Sequence, residues 1–159
     1  MAGKVSYISE GRHSVSPSLI VRDPTAAIDF YEKVFAATQP VPPLTDGEGK
    51  IMHAEIKIGD SMIMLSPEAA EWGNQSPETL GGTAVSIHVY VEDADTVFQK
   101  AIDAGAKVRI PIQDQFYGDR SGRLEDPFGH LWIIATHTED MSPQEMQKRC
   151  EEFMKGMKE

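Results

Sequence analysis

With 159 residues, the chain has room for one compact domain with a sizeable core, or for two small modules. Its 25 acidic against 15 basic residues give a formal charge of −10, the wrong sign for a nucleic-acid backbone or an anionic membrane surface. A single cysteine, Cys150, excludes an intrachain disulfide and a cysteine-based zinc site.

Chain order begins with a polar segment, MAGKVSYISEGRHS, that lacks the apolar core of a signal peptide. No later apolar run approaches the ~20 residues needed to span a bilayer. We therefore expect a cytoplasmic protein. Ser16 to Val21 follows as a first strand, rich in β-formers. Asp23 suits a helix N-cap and Pro24 a first helical position. The helix from Pro24 to Phe35 places Ala27, Ile28, Tyr31, Val34 and Phe35 on one face. A Pro/Gly loop from Gln39 to Lys50 has room for a short strand. Strands Ile51 to Ile58 and Ser61 to Ser66 come next, joined by a tight Gly59-Asp60 turn. The stretch that follows is rich in Pro, Gly, Ser and Glu and reads as a linker.

The pattern then repeats. Strand Val85 to Val91, N-cap Asp93 and a helix from Ala94 to Ala104 precede strands at Lys107 to Ile112, Gly122 to Glu125 and Leu131 to Thr136. In that second helix Val97, Phe98, Ala101 and Ile102 share a face. An offset of 70 carries Asp23 to Asp93, Val21 to Val91, Gly59 to Gly129 and Ile63 to Ile133 without a gap. Ser142-Pro143-Gln144-Glu145 is a capping box. It opens a final helix with Met146, Cys150, Phe153 and Met157 aligned, a docking face for the chain itself or for a second copy. Cys150 reads as a packing residue there. The boundaries are a single domain, 1–159, containing a first module at 14–68, a linker at 69–83, a second module at 84–138 and a terminal helix at 139–159.

Period-two alternation sorts each strand into two faces. Leu19, Val21, Met52, Ala54, Ile56, Ile58, Val85, Ile87, Val89 and Val91 suit the helix side. Ser16, Ser18, His53, Glu55, Ser86, His88, Tyr90, Arg123 and Glu125 fall on the other, with Ile63, Leu65, Leu131, Ile133 and Ala135 as its apolar wall. Such a polar face is either simply solvated or the lining of a cavity. Phe116 and Tyr117 have rings suited to stacking on a planar ligand, whereas Trp132 falls on the helix side. Arg120 or Arg123 can hold an anion through its guanidinium fork. Alternatively, Asp119 and Arg120 pair with each other or pin their loop.

The segments SLIVRDPTAAIDFYEKVF, HVYVEDADTVFQKAIDAGAKV and QFYGDRSGRLEDPFGHLWIIATHTEDMSPQEM resemble the vicinal oxygen chelate superfamily (glyoxalase/bleomycin resistance/dioxygenase), and within it the PhnB-like subgroup. That resemblance implies an α+β fold of tandem βαβββ modules whose curled mixed sheets enclose a cavity, followed here by a C-terminal helix. It also implies a homodimer. The superfamily's metal site uses His, Gln or Glu from the first and last strands of each module. Those positions fall on Ser16, Ile63, Ser86 and Ile133, which are poor ligands or none.

We therefore expect a cofactor-free protein whose partner is a small organic molecule, with no nucleic acid or membrane partner. The alternative is a glyoxalase-like lyase or isomerase, or a dioxygenase-related enzyme, using an off-pattern divalent metal. His53, His88 and Glu125 would be its ligands, with Glu55 or Glu125 as base. A metal-free acid–base enzyme working through His88 and Tyr90 is a further possibility.

Overall fold

The computed structural model describes residues 5–157, which divide into two compact units between Gly82 and Thr83. Each unit carries one four-stranded sheet. In unit 1, strand β1 (Ser18–Val21) leads into helix α1 (Pro24–Phe35), followed by β2 (Leu44–Thr45), β3 (Ile51–Ile58) and β4 (Ser61–Pro67). The sheet order is β1-β4-β3-β2, with β1 parallel to β4 and the other neighbours antiparallel. Asp23 caps α1 as its sequence position predicts, its Oδ1 accepting from the Ala26 amide at 3.0 Å. The predicted apolar stripe of α1, from Ala27 to Phe35, is buried. Beneath it lie Leu19, Val21, Ala54, Ile56 and Leu65. Removing a fully covered side chain such as Ile56 from water contributes about 1.5–3 kcal/mol.

The Pro/Gly/Ser-rich stretch after β4 is folded rather than extended. It holds a 3-10 turn (Ala70–Trp72) and a short helix, α2 (Pro77–Leu80). Glu68 fixes it by accepting from the Ser76 amide, the Ser76 hydroxyl and the Thr79 hydroxyl. Those donors, led by the Thr79 hydroxyl, pull the Glu68 carboxyl down to about 2.

Unit 2 repeats the topology with β5 (Ser86–Tyr90), α3 (Ala94–Asp103), β6 (Lys107–Asp114), β7 (Asp119–Glu125) and β8 (Leu131–His137), in the order β5-β8-β7-β6. Helix α4 (Pro143–Gly156) ends it, its N-cap Ser142 accepting from Glu145. Phe98 and Ala101 of α3 are buried with Leu124, Trp132 and Ile134 of the sheet. Gly122 allows this approach: a Cβ there would lie 2.7 Å from the Phe98 ring. No helix among the described residues is long and apolar enough to cross a membrane.

The two hairpins differ in a way that the constant sequence offset hides. Ile58 pairs with Ser61 across a two-residue turn. Glu125 pairs with Leu131 across residues 126–130. Offset 70 carries Ile63 to Ile133, yet the two face opposite ways. Ile63 pairs with the buried Ile56, and Leu65 with the buried Ala54, on the helix side. Ile133 pairs with Arg123 on the open side. Ile63 and Leu65 are therefore core, not cavity wall; Met62, Met64 and Ser66 take the open face of unit 1. A slip by an odd number of residues inverts a strand's faces, and turns of residues 59–60 and 126–130 supply it.

Asp126 organises the longer turn. Its buried carboxylate accepts from the amides of Phe128 and His130 and from Trp132 Nε1, each at 2.9 Å. Replacing Asp126 with Ala strands these donors and should cost on the order of 3 kcal/mol. Asp126→Asn, which keeps an acceptor, should cost less. Urea denaturation of both variants checks this, and equal losses would contradict the account.

Candidate functional site

The open face of each sheet is where the chain can meet another molecule. In unit 1 it carries His53, Glu55, Met62, Met64 and Ser18. Arg12, from the segment before β1, forms an ion pair with Glu55. His53 Nε2 lies 3.3 Å from the same carboxylate. Arg12, and then His53, hold the Glu55 carboxyl below its ordinary range. A carboxylate so stabilised is a weak proton acceptor. Beside it, Ser16 and Met64 border a shallow hollow of about 400 Å³ whose other walls come from residues 7–14, Arg12 included.

In unit 2, cross-strand pairing places Ser86 beside Leu131, His88 beside Ile133 and Tyr90 beside Ala135. On the other side of β8, Glu125, Arg123, Ser121 and Asp119 flank Leu131, Ile133, Ala135 and His137. The expected open face of unit 2 is thus assembled. It is longer than the sequence indicates, because β7 begins at Asp119 rather than Gly122. Its Asp, Arg, Ser and Gly have weak strand preference. Tertiary hydrogen bonds override that preference: buried Asp119 accepts from Tyr90 Oη at 3.0 Å and lies 2.8 Å from His137 Nδ1.

Asp119 and Arg120 do not pair with each other. Arg120 instead binds Asp95 at the start of α3 and Asp114 at the end of β6, pinning strand to helix. The turn before β7 is held through Gly118, whose carbonyl accepts from the amides of Thr138 and Glu139. Gly118 has φ +89°, and a Cβ there would sit 2.4 Å from the Glu139 carbonyl oxygen.

The aromatic pairs sort themselves by role. His88 stacks on Tyr90 at 4.7 Å on the exposed part of the face. The hydrogen bond to Asp119 raises the Tyr90 phenol above its ordinary range, so Tyr90 stays a neutral hydroxyl. Phe116 packs on Phe153 of α4 at 5.0 Å and edge-on to Tyr117.

Between β6, β7, β8 and α4 lies a cavity of about 220 Å³. Ile110, Ile133 and Phe153 supply its apolar surface. Gln113, Gln115, Tyr117, Ser121 and Arg123 supply polar groups. Irregular pairing of β6 on either side of Ile110 aims Ile110 and Gln113 at the same space. Tyr117 Oη lies 3.3 Å from Ser121 Oγ, and Gln115 donates to the Ser121 carbonyl at 3.3 Å. Arg123 Nε is buried without a hydrogen-bond partner.

Of the predicted site residues, this cavity gathers Tyr117 and Arg123, with Ile133 as wall. Ser86, His88 and Tyr90 share the sheet face outside it. Glu125 is taken up by an ion pair with Arg109. Ser16, Ser18, His53 and Glu55 belong to unit 1. Sequence reasoning misses Gln113, Gln115 and Ser121, although the alternation of β6 marks Gln113 and a longer β7 would include Ser121.

Among the described residues, no three His, Cys, Asp or Glu side chains gather as a metal site. Glu55 and Glu125 each pair with an arginine.

A family model described as the Glyoxalase/Bleomycin resistance protein/Dioxygenase superfamily matches residues 12–134, and the chain belongs to that superfamily. An uncharacterized protein of Mycobacterium tuberculosis is 39% identical over 137 residues, spanning 84% of this chain and 80% of that protein. Among solved structures, TioX from Micromonospora sp. ML1 matches with a TM-score of 0.60 and 26% identity, covering 82% of this chain and all 100% of that one. The PhnB protein from Bacillus cereus matches at 0.61 and 20% identity, over 78% and 99%, a likeness of fold.

His137 supplies a pH test of the network around the site. Asp119, and then Asp140 at 3.0 Å from Nε2, raise its pKa above the ordinary 6.5. A raised folded-state value means the stabilisation is fully present below pH ~6.5 and is lost as pH rises through the folded value. Urea unfolding of the wild type should therefore weaken on raising the pH from about 6 to 8, and His137→Asn should flatten that slope. An unchanged slope in the variant would refute the assignment.

Proposed function

We propose that this chain is a metal-independent binding protein that holds a small organic molecule in the unit 2 cavity. The observation that carries this reading is the cavity itself: apolar walls at Ile110, Ile133 and Phe153 with several polar groups converging on one space. Sites for small ligands are built from such a mixture. Its volume equals roughly seven waters of liquid, room for a ring with a few substituents. Tyr117 and Phe153 offer aromatic surface to a planar molecule.

Membership of a superfamily whose name includes a bleomycin resistance protein supports binding as a role. The state of the acid–base candidates supports it too. Glu55 is held ionised by Arg12, Glu125 is paired with Arg109, and the Tyr90 phenol is pushed upward. The shifts of Glu55 and Tyr90 both run away from neutrality, where a group exchanging a proton with a substrate works best.

Thermal-shift and calorimetric screening should find ligands in a panel of one- and two-ring aromatic acids, amides and amines. Binding should persist in EDTA. Phe153→Ala should weaken it roughly tenfold, the usual scale for truncating a central aromatic contact. Binding restored only by a divalent metal, or no ligand anywhere in the panel, would contradict this reading.

A further inference from the structure

We infer that the ligand of the unit 2 cavity is a monoanion, an aromatic or otherwise planar carboxylate whose carboxyl group docks on Arg123. The inference rests on the cavity reading above and adds a ligand class to it. Its basis is the state of one side chain.

Every other arginine of unit 2 is matched to carboxylates. Arg109 pairs with Glu125, Arg120 with Asp95 and Asp114, and Arg149 with Glu139 and Glu145. Arg123 has no carboxylate partner among the described residues, although it lies one alternation away from Glu125 on the same strand face. It borders the cavity, and its Nε is buried with no acceptor. A buried donor of a charged group left without an acceptor is costly, and replacing it by an apolar group of similar shape relieves that cost. The Nε itself is closed off, but the side chain is only part-buried and borders the cavity, so an acceptor from outside meets the guanidinium through its terminal nitrogens.

The chemistry of the fork selects that acceptor. A guanidinium meets a carboxylate with two parallel N–H···O bonds. Beside it, Gln113 and Gln115 are neutral and Ser121 is a hydroxyl, so the cavity offers one formal positive charge. The chain as a whole carries −10, a field that disfavours a polyanion such as a phosphate ester. One unpaired guanidinium balances one carboxylate. The aromatic surfaces of Tyr117 and Phe153 then suit a flat body behind it.

The test uses benzoate and its neutral isostere benzamide, titrated calorimetrically into the full chain, with Arg123→Met and Arg123→Lys as variants. Benzoate should bind at least about tenfold tighter than benzamide, and Arg123→Met should lose that preference. Arg123→Met should also melt no lower than the wild type, because it removes the orphaned donor. Should Arg123→Met not fold, Arg123→Lys, which keeps the charge but not the fork, should bind benzoate several-fold more weakly. Benzamide binding as tightly as benzoate, or benzoate binding unchanged in the variants, overturns the anionic class while leaving the cavity reading intact. If aromatic ligands of neither charge bind, the cavity reading falls first and the ligand class with it.

Discussion

The alternation of side chains along a strand is the constraint on which the rest of this molecule depends. A sheet has two faces, and in each unit a helix covers one. Whatever the uncovered face does must be done by every second residue. In unit 2 these are Asp119, Ser121, Arg123 and Glu125 on β7, against Leu131, Ile133, Ala135 and His137 on β8. The helix decides which face stays open, and the Asp126 turn fixes which residue of β7 stands opposite which residue of β8.

Turn chemistry therefore reaches the site. Asp126 satisfies two turn amides and the Trp132 indole with one buried carboxylate. Trp132 is thereby tied on the helix side and Ile133 turned to the open side. At the other end of β7, Asp119 draws in Tyr90 and His137, and Arg120 ties the strand to α3 and to the end of β6. The residues between these two anchors are held on both ends. Arg123 sits among them, which is how its buried Nε can remain beside a cavity without a hydrogen-bond partner among the described residues.

Much of this was legible in the sequence. The N-caps Asp23, Asp93 and Ser142, the buried stripe of α1, the repeated topology, the terminal helix and the open face of β5 follow from residue periodicity and capping chemistry. What the letters concealed was the register. A gapless offset of 70 suggests equivalent faces for Ile63 and Ile133. The two-residue turn in one hairpin and the longer turn in the other invert that equivalence. The start of β7 was hidden for a different reason. Asp119, Arg120, Ser121 and Gly122 carry little strand preference, and their extended conformation is imposed by partners distant in sequence. Arg123 was identifiable as an anion-binding candidate, but the lack of a carboxylate partner among the described residues is a property of the folded chain.

Arg123 Nε has no acceptor among the described residues, and a ligand carboxylate is proposed to meet its guanidinium. Guanidinium proton–nitrogen NMR spectra test this directly. The Arg123 Nε–H signal, assigned by its loss in Arg123→Lys, should exchange slowly with solvent in the free protein, consistent with a buried donor. Saturation with benzoate, docking on the terminal nitrogens of the same guanidinium, should shift it, while the signals of Arg109 and Arg120, already engaged by carboxylates, stay in place. A rapidly exchanging Arg123 signal, or one that does not move while other resonances report bound benzoate, would contradict the account.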